Sequence, residues 1–315
     1  MEKVIVVVGP TGVGKTRMGV ALAKHFNGEV ISGDSMQIYK TMDIGTAKVT
    51  DDEMEGIVHH LIDVKEPTES YSVKDFQDEV RLKIKEIISR GKLPIIVGGT
   101  GLYIKAALYD YEFSESQTNH QEYVEKYQDY SNEELYNYLI EIDKASAKEL
   151  HPNNRQRVLR AIAIYESTGI KKSETLAKQN HELIYNAKFI GLTLERESLY
   201  QRIDQRVDLM MEQGLLQEID GLMKKNYTRE MQSMKAIGYK EWFAYYQGTQ
   251  TLDETLELIK KNSRNYAKRQ YTWFNNQVPV IWFNVNLNNF NETINAVISE
   301  LEGELYPFIV YATVS

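Results

Sequence analysis

Gly9-Pro10-Thr11-Gly12-Val13-Gly14-Lys15-Thr16 is the stretch whose residue types and spacing bear most directly on chemistry. Its three glycines let a loop turn successive backbone amides inward, and a helix starting behind them adds partial positive charge at its N-terminus. A diphosphate or triphosphate fits such a cradle. Lys15 reaches the outer phosphates as a point charge, and the Thr16 hydroxyl is the expected ligand of a magnesium ion bridging them. The plain alternative is a structural glycine turn. Two further side chains come into view: Asp34 in Gly33-Asp34-Ser35-Met36-Gln37-Ile38-Tyr39, and Thr100 in Gly98-Gly99-Thr100-Gly101-Leu102-Tyr103. Asp34 has two readings, a carboxylate aimed at whatever the loop holds or the N-cap of a following helix.

The elements that must position these residues are legible around them. Residues 4–8 are a short β-branched run of the buried parallel type, and Met18, Ala21, Leu22, His25 and Phe26 recur along one helix face. Strand, loop and helix are the context a phosphate loop requires. Residues 29–32 form a second strand that delivers Asp34, and residues 93–97 a third that delivers Thr100. Both side chains then sit at the strand ends that face the ligand crevice of a doubly wound sheet. The third strand ends in Gly98-Gly99, where a nucleotide hydrolase would place a magnesium-holding Asp, which weakens a hydrolase reading. Ser72 with Asp75 marks a capping signal for a helix that stops at Gly91. His59 and His60 are adjacent, with no Glu or Cys at metal spacing, so they read as packing or surface residues. Residues 189–194 and 278–283 predict two more strands. Leu199, Ile203, Val207 and Met210 predict a helix carrying Arg202 and Arg206 one turn apart, and residues 290–301 a last helix.

Composition bounds the rest. The chain has 315 residues, a formal net charge of −8 and a pI near 5.4, which argue for two domains and against indiscriminate nucleic-acid binding while leaving local patches open. It has no cysteine, hence no disulfide or thiolate zinc site, and the cytoplasm is the expected compartment. No apolar run approaches the roughly 20 residues of a membrane span, and the first apolar stretch is a strand rather than a signal peptide.

Residues 114–187 turn to Glu, Tyr, Gln, Asn and Lys with helical patterning. They predict an all-helical insertion between core segments 1–113 and 188–315. Its second half sets Lys144, Lys148, Arg155, Arg157, Arg160, Lys171, Lys172 and Lys178 against Glu149, Glu166 and Glu174. Such charge is either a solvated face or a nucleic-acid patch. Lys235-Ala236-Ile237-Gly238-Tyr239-Lys240 has the makings of a substrate loop. On the helix over 256–275, Lys260, Arg264 and Lys268 stand four residues apart among Tyr266, Tyr271, Trp273 and Phe274, which suits either single-strand RNA recognition or a core. The tail over 306–315 is apolar and uninformative.

Taken together these stretches resemble the bacterial tRNA dimethylallyltransferases, also called tRNA isopentenyltransferases. The likeness rests on residues 9–16, 33–39, 42–48 (Met42-Asp43-Ile44-Gly45-Thr46-Ala47-Lys48) and 98–103. It continues through His151-Pro152-Asn153-Asn154-Arg155-Gln156-Arg157-Val158-Leu159-Arg160, Ala236 to Lys240, and Lys268-Arg269-Gln270-Tyr271-Thr272-Trp273-Phe274, in the family's order. It implies an α/β fold with a P-loop NTPase-like parallel sheet flanked by helices and an all-helical insertion domain. It also implies transfer of a dimethylallyl group from dimethylallyl diphosphate to the exocyclic amine of adenosine at tRNA position 37, with diphosphate released.

In that family the phosphate loop, here Gly9, Pro10, Thr11, Gly12, Val13, Gly14, Lys15 and Thr16, holds the prenyl diphosphate, and the insertion clasps the anticodon stem-loop. Asp34 then fits a general base, Thr100 a group that positions the amine or a phosphate oxygen, and Arg206 a second phosphate clamp. Ser35, Met36 and Gln37, Gln156 to Arg160, Lys235, Gly238, Tyr239 and Lys240, and Lys268 with Arg269 are the expected RNA contacts, beside Asp34 and Thr100. The protein is expected to be a monomer using Mg2+. Asn265 and Asn275 depart from a pattern in which many relatives carry Arg, and a chain without cysteine lacks the zinc finger that eukaryotic relatives add. Two rival classes are a small-molecule kinase on the same loop and a non-catalytic RNA-binding protein.

Overall fold

The computed structural model describes residues 1–111, 113, 120–177 and 182–305. The strands are β1 (Lys3–Val8), β2 (Gly28–Ser32), β3 (His59–His60), β4 (Leu93–Val97), β5 (Asn186–Thr193) and β6 (Val280–Asn284). They form one sheet in the order β3-β2-β4-β1-β5-β6, with every pairing parallel. β1 lies between β4 and β5, and Val4, Ile5, Val6, Val7 and Val8 are fully buried, as its continuous apolar run requires. This is the P-loop NTPase-like α/β fold expected from the motifs.

Helix α1 (Lys15–His25) follows the phosphate loop and buries Met18, Leu22 and Ala23 against the sheet core. The expected capping box is present: the Ser72 hydroxyl accepts the Asp75 amide, and the Asp75 carboxylate accepts the Ser72 amide, opening α2 (Val73–Ser89). α3 (Asn132–Ile142) and α4 (Arg155–Thr168) belong to the helical region. α5 (Arg196–Glu212), α6 (Leu215–Lys224), α7 (Leu252–Gln277) and α8 (Phe290–Leu305) belong to the part that carries the sheet.

The chain divides into two compact units, Met1–Leu108 with Leu183–Ser315, and Tyr109–Glu182. The second unit therefore falls at 109–182 and not at the expected 114–187. The reason lies in β5, which begins at Asn186 in register with Lys3, so residues 186–188 belong to the sheet. Within the second unit, α3 opens on a Ser131–Glu134 capping box, and Leu135, Leu139, Val158, Leu159 and Ile162 form its core. Lys178 of the basic stretch and the 306–315 tail lie outside the described residues.

β3 escaped the sequence reading because two histidines carry no strand periodicity. The element is held by a neighbour: His60 Nε2 lies 2.7 Å from Glu29 Oε2 on β2.

Candidate functional site

The loop between β1 and α1 reaches the C-terminal edge of the sheet, as do the loops after β2 and β4. Together they line a cavity of about 910 Å³ that includes Thr11, Gly12, Gly14, Lys15, Thr16, Asp34, Ser35, Met36, Gln37 and Thr100. Gly14 enters α1 at φ +96°, and a Cβ there would meet the Phe290 ring at 2.7 Å, so both backbone and space require glycine. Val13 is 1% exposed and belongs to the core, so its contribution to an anion site is restricted to its backbone. Lys15 folds back within the loop and donates to the Pro10 carbonyl at 2.8 Å.

Two arginines from α5 close on this loop. Arg202 Nε donates to the Gly12 carbonyl at 3.0 Å, and Arg206 Nη1 to the Thr11 hydroxyl at 2.8 Å. Their four-residue spacing puts both on one face of α5, which is how the helix meets the loop twice. Burial lowers the Lys15 pKa to about 8, with the Arg206 charge acting the same way and Asp34 opposing. Burial likewise lowers Arg206. Both shifts come first from burial, which disfavours the charged forms, so an anion bound beside these groups would favour them.

The N-cap reading of Asp34 fails, because no helix follows it. Its Oδ1 accepts the Met36 amide at 2.9 Å, which closes a local turn and leaves the carboxylate lining the cavity. Desolvation raises its pKa, against the opposing effects of the Met36 amide and the Lys15 charge. Thr100 is tied to the next residue: its Oγ1 accepts the Ser35 amide at 3.1 Å. Tyr266, on α7, faces the same space, and its phenol is pushed up to about 12 by burial and by the Asp34 charge.

Several expected contacts are redistributed by the structure. Lys235, Gly238 and Lys240 line the cavity, whereas Tyr239 is fully buried with its hydroxyl on Glu218 at 2.6 Å, so its ring holds the loop and is not presented to a ligand. In the helical unit Val158 and Leu159 are core residues, while Gln156, Arg157 and Arg160 are exposed. Arg155 is occupied by the Tyr127 and Tyr130 carbonyls at 2.5 and 2.6 Å. On α7 the expected cationic stripe is partly neutralised, Lys260 by Asp208 at 2.8 Å and Arg264 by Asp204 at 2.5 Å. Phe274 is core, Tyr271 bonds the Leu194 amide, and Trp273 packs beside Gly101, so none of these is a free stacking platform. Lys268 is exposed, and Arg269 lines the cavity with its guanidinium 5.6 Å from the Tyr266 ring centre.

Sequence reasoning did not single out Gln270. Its signal was positional, one turn beyond Tyr266 on the same face of α7. His59 and His60 are half-buried on β3, and among the described residues no group of three or more His, Cys, Asp or Glu is placed to hold an ion. No described helix is long and apolar enough to cross a membrane.

A phosphate loop clasped by two arginines, with a desolvated carboxylate in the same cavity, defines an α/β protein built to act on a phosphorylated substrate. The chain belongs to the IPP transferase family, whose model matches residues 37–277. It is 52% identical over 306 residues to the tRNA dimethylallyltransferase of Anoxybacillus flavithermus, covering 97% of this chain and 98% of that one. A solved tRNA isopentenylpyrophosphate transferase from Bacillus halodurans is 45% identical, with a TM-score of 0.72 over 97% of this chain and 98% of the other. A eukaryotic dimethylallyltransferase acting on tRNA is 32% identical, with a TM-score of 0.84 over 97% of this chain and 79% of that one. Enzymes of this family need a divalent metal ion.

Proposed function

We propose that this protein transfers the dimethylallyl group of dimethylallyl diphosphate to the exocyclic amine of adenosine at tRNA position 37 and releases diphosphate. The observation that carries the reading is the meeting of Asp34 with the phosphate loop in one cavity. The relatives' names supply the substrate class, tRNA, and the chemistry supplies the roles.

An aromatic amine is a weak nucleophile because its lone pair is delocalised into the ring. A carboxylate that accepts its proton as the carbon–nitrogen bond forms lowers the barrier, and Asp34, desolvated within reach of the Lys15 and Arg206 charges, serves as that base. The electron pair of the breaking carbon–oxygen bond goes to the diphosphate. Loop amides, the α1 N-terminus, Lys15 and Arg206 stabilise the charge that develops there. Thr100, held against Ser35, orients the amine beside Asp34. The target base lies in a loop of the RNA, so extruding it costs less than from a duplex.

The residues fit a magnesium ion. Thr16 lines the cavity in the first turn of α1, and the acidic side chains facing the same space are Asp34 and Glu53. So sparse a donor set suits a hard cation that keeps several waters and binds mainly through substrate phosphates. Magnesium so placed would neutralise leaving-group charge. In the helical unit, Gln156, Arg157 and Arg160 supply the RNA-facing side chains, and the protein acts as a monomer.

The test combines protein, magnesium and unmodified tRNA bearing adenosine at position 37 with either dimethylallyl diphosphate or ATP, and reads nucleoside masses. The expected result is a prenylated adenosine formed with the prenyl donor alone. ATP consumption without a prenyl adduct would overturn the reading.

A further inference from the structure

Glu218, in the first turn of α6, gathers four donors. Its Oε2 accepts the amides of Asp43 and Ile44 at 2.8 and 2.7 Å, and its Oε1 accepts the Gly45 amide at 3.1 Å and the Tyr239 hydroxyl at 2.6 Å. Three successive amides converging on one point form an anion nest, and here the protein's own carboxylate fills it. The nest joins two loops that both line the cavity, one through Gly45, Thr46 and Ala47, the other through Gly238 and Lys240.

The join is tight. A Cβ at Gly45 would lie 2.6 Å from the Tyr239 ring, and one at Gly238 would lie 3.3 Å from the Gly45 carbonyl oxygen. The spacing of the two loops is thus set by the Tyr239 ring packed on Gly45 and by the shared Glu218 carboxylate. The first loop is then connected to the base. The Gln37 Nε2 donates to the Ala47 carbonyl at 3.2 Å, the Ser32 hydroxyl donates to Gln37 Oε1 at 3.1 Å, and the Asp34 amide donates to the Ser32 oxygen at 3.4 Å. This route runs from α6 to the backbone of Asp34 without passing through the phosphate loop.

We propose that Glu218 is a positioning residue for the acceptor half of the cavity. By fixing the 43–47 and 235–240 loops against each other it places the adenosine beside Asp34, and it leaves the diphosphate half alone. The proposal rests on the function proposed above.

The experiment compares wild type, Glu218→Ala, Glu218→Gln and Tyr239→Phe by kcat/KM toward an anticodon stem-loop RNA and by calorimetric affinity for inorganic diphosphate with magnesium. Misplacing a reacting group by about 1 Å costs roughly 100-fold, so that is the fall expected for Glu218→Ala. Glu218→Gln keeps one carbonyl oxygen for the amides, and Tyr239→Phe removes one donor of the four, so both should fall between wild type and Ala. Diphosphate affinity should stay within roughly twofold throughout, as expected of sites without shared partners. A parallel loss of diphosphate affinity would overturn the proposal, since a general structural role moves both readouts. Unchanged kcat/KM in Glu218→Ala would overturn it too. Where Glu218→Ala does not fold, unchanged kcat/KM in Tyr239→Phe does the same. A wild-type protein without prenyl transfer would instead sink the proposed function, and this proposal with it.

Discussion

Gln270 holds the phosphate loop at Thr11: its Oε1 accepts the Thr11 amide at 3.2 Å. The other end of the same side chain donates to the Gly99 carbonyl at 3.1 Å. One buried amide group, 5% exposed, thus ties the loop after β1 to the loop that delivers Thr100. Gln270→Leu leaves both backbone groups without this partner, and stranded buried polar groups cost about 1–3 kcal/mol. Affinity for dimethylallyl diphosphate should fall roughly 30-fold in a titration, the middle of that range. Wild-type affinity in Gln270→Leu would show that the Thr11 amide needs no anchoring.

Asp34 must be ionised to accept a proton, and desolvation raises its pKa above the ordinary carboxylate range. The transfer rate should therefore decline as pH falls through that raised value, earlier than for a solvated Asp. Asp34→Asn should slow single-turnover transfer by roughly 100-fold or more and abolish this acid limb, while tRNA still binds. An acid limb that survives in Asp34→Asn would assign it to another group.

Much of this site was legible in the sequence because its parts are contiguous. The phosphate loop, the strand before it and the helix after it form one local unit, and Asp34 and Thr100 each follow a short strand directly. What the sequence hid depends on distance. Glu218 meets amides some 175 positions away, and Gln270 meets Thr11 across 259 positions. Tyr239 and Lys240 read alike in a loop, yet only packing around Gly45 decides that the ring turns inward. Val158 and Leu159 sit among exposed basic residues, and it takes the neighbouring α3 to make them core. β3 exists because Glu29 and the β2 backbone recruit it, and no propensity of His59-His60 would have announced it.

Lys15 gives a second pH signature. With its pKa lowered to about 8 by burial and by Arg206, it is only partly charged near pH 8 before any ligand binds. A diphosphate anion favours the ammonium form, so binding near pH 8 should take up protons. Calorimetry in buffers of different ionisation heat measures that uptake as a slope. The slope should be positive at pH 8, shrink toward pH 6, and disappear in Lys15→Met. A zero slope in wild type at pH 8 would contradict the lowered value.

Glu29 is expected to contribute to acid stability. It is 3% exposed and bound by Arg90 at 2.6 Å, His60 at 2.7 Å and Lys92 at 3.0 Å. Burial raises its pKa, but the hydrogen bonds from Arg90, His60 and Lys92 outweigh that and hold it near 2, against an ordinary 4.5. A depressed value means stabilisation that is complete above about 4.5 and lost as pH falls toward 2. Glu29→Gln should cost about 3 kcal/mol at pH 7, the lower end for breaking a buried pair because Arg90 and Lys92 retain some solvent. Urea unfolding at pH 7 and at pH 3 should show the gap between variant and wild type narrowing in acid.

Arg157 and Arg160 carry the RNA prediction for the helical unit. Both are exposed on α4, whose opposite side buries Val158, Leu159 and Ile162, so charge reversal there leaves the core intact. Lys172 stands close enough to both arginines that their charges, after its own burial, lower its pKa. Three cations gathered in this way are favoured by a phosphate and opposed by one another. Each phosphate contact releases counterions, and the logarithm of affinity falls with the logarithm of salt by roughly 0.7 to 0.9 per contact. Arg157→Glu with Arg160→Glu should therefore weaken tRNA binding and flatten the salt slope by roughly two contacts' worth. The mass-detected turnover of a free adenosine-bearing oligonucleotide too short to reach this unit should be unaffected. Binding that keeps the wild-type salt slope would make these arginines an ordinary solvated face.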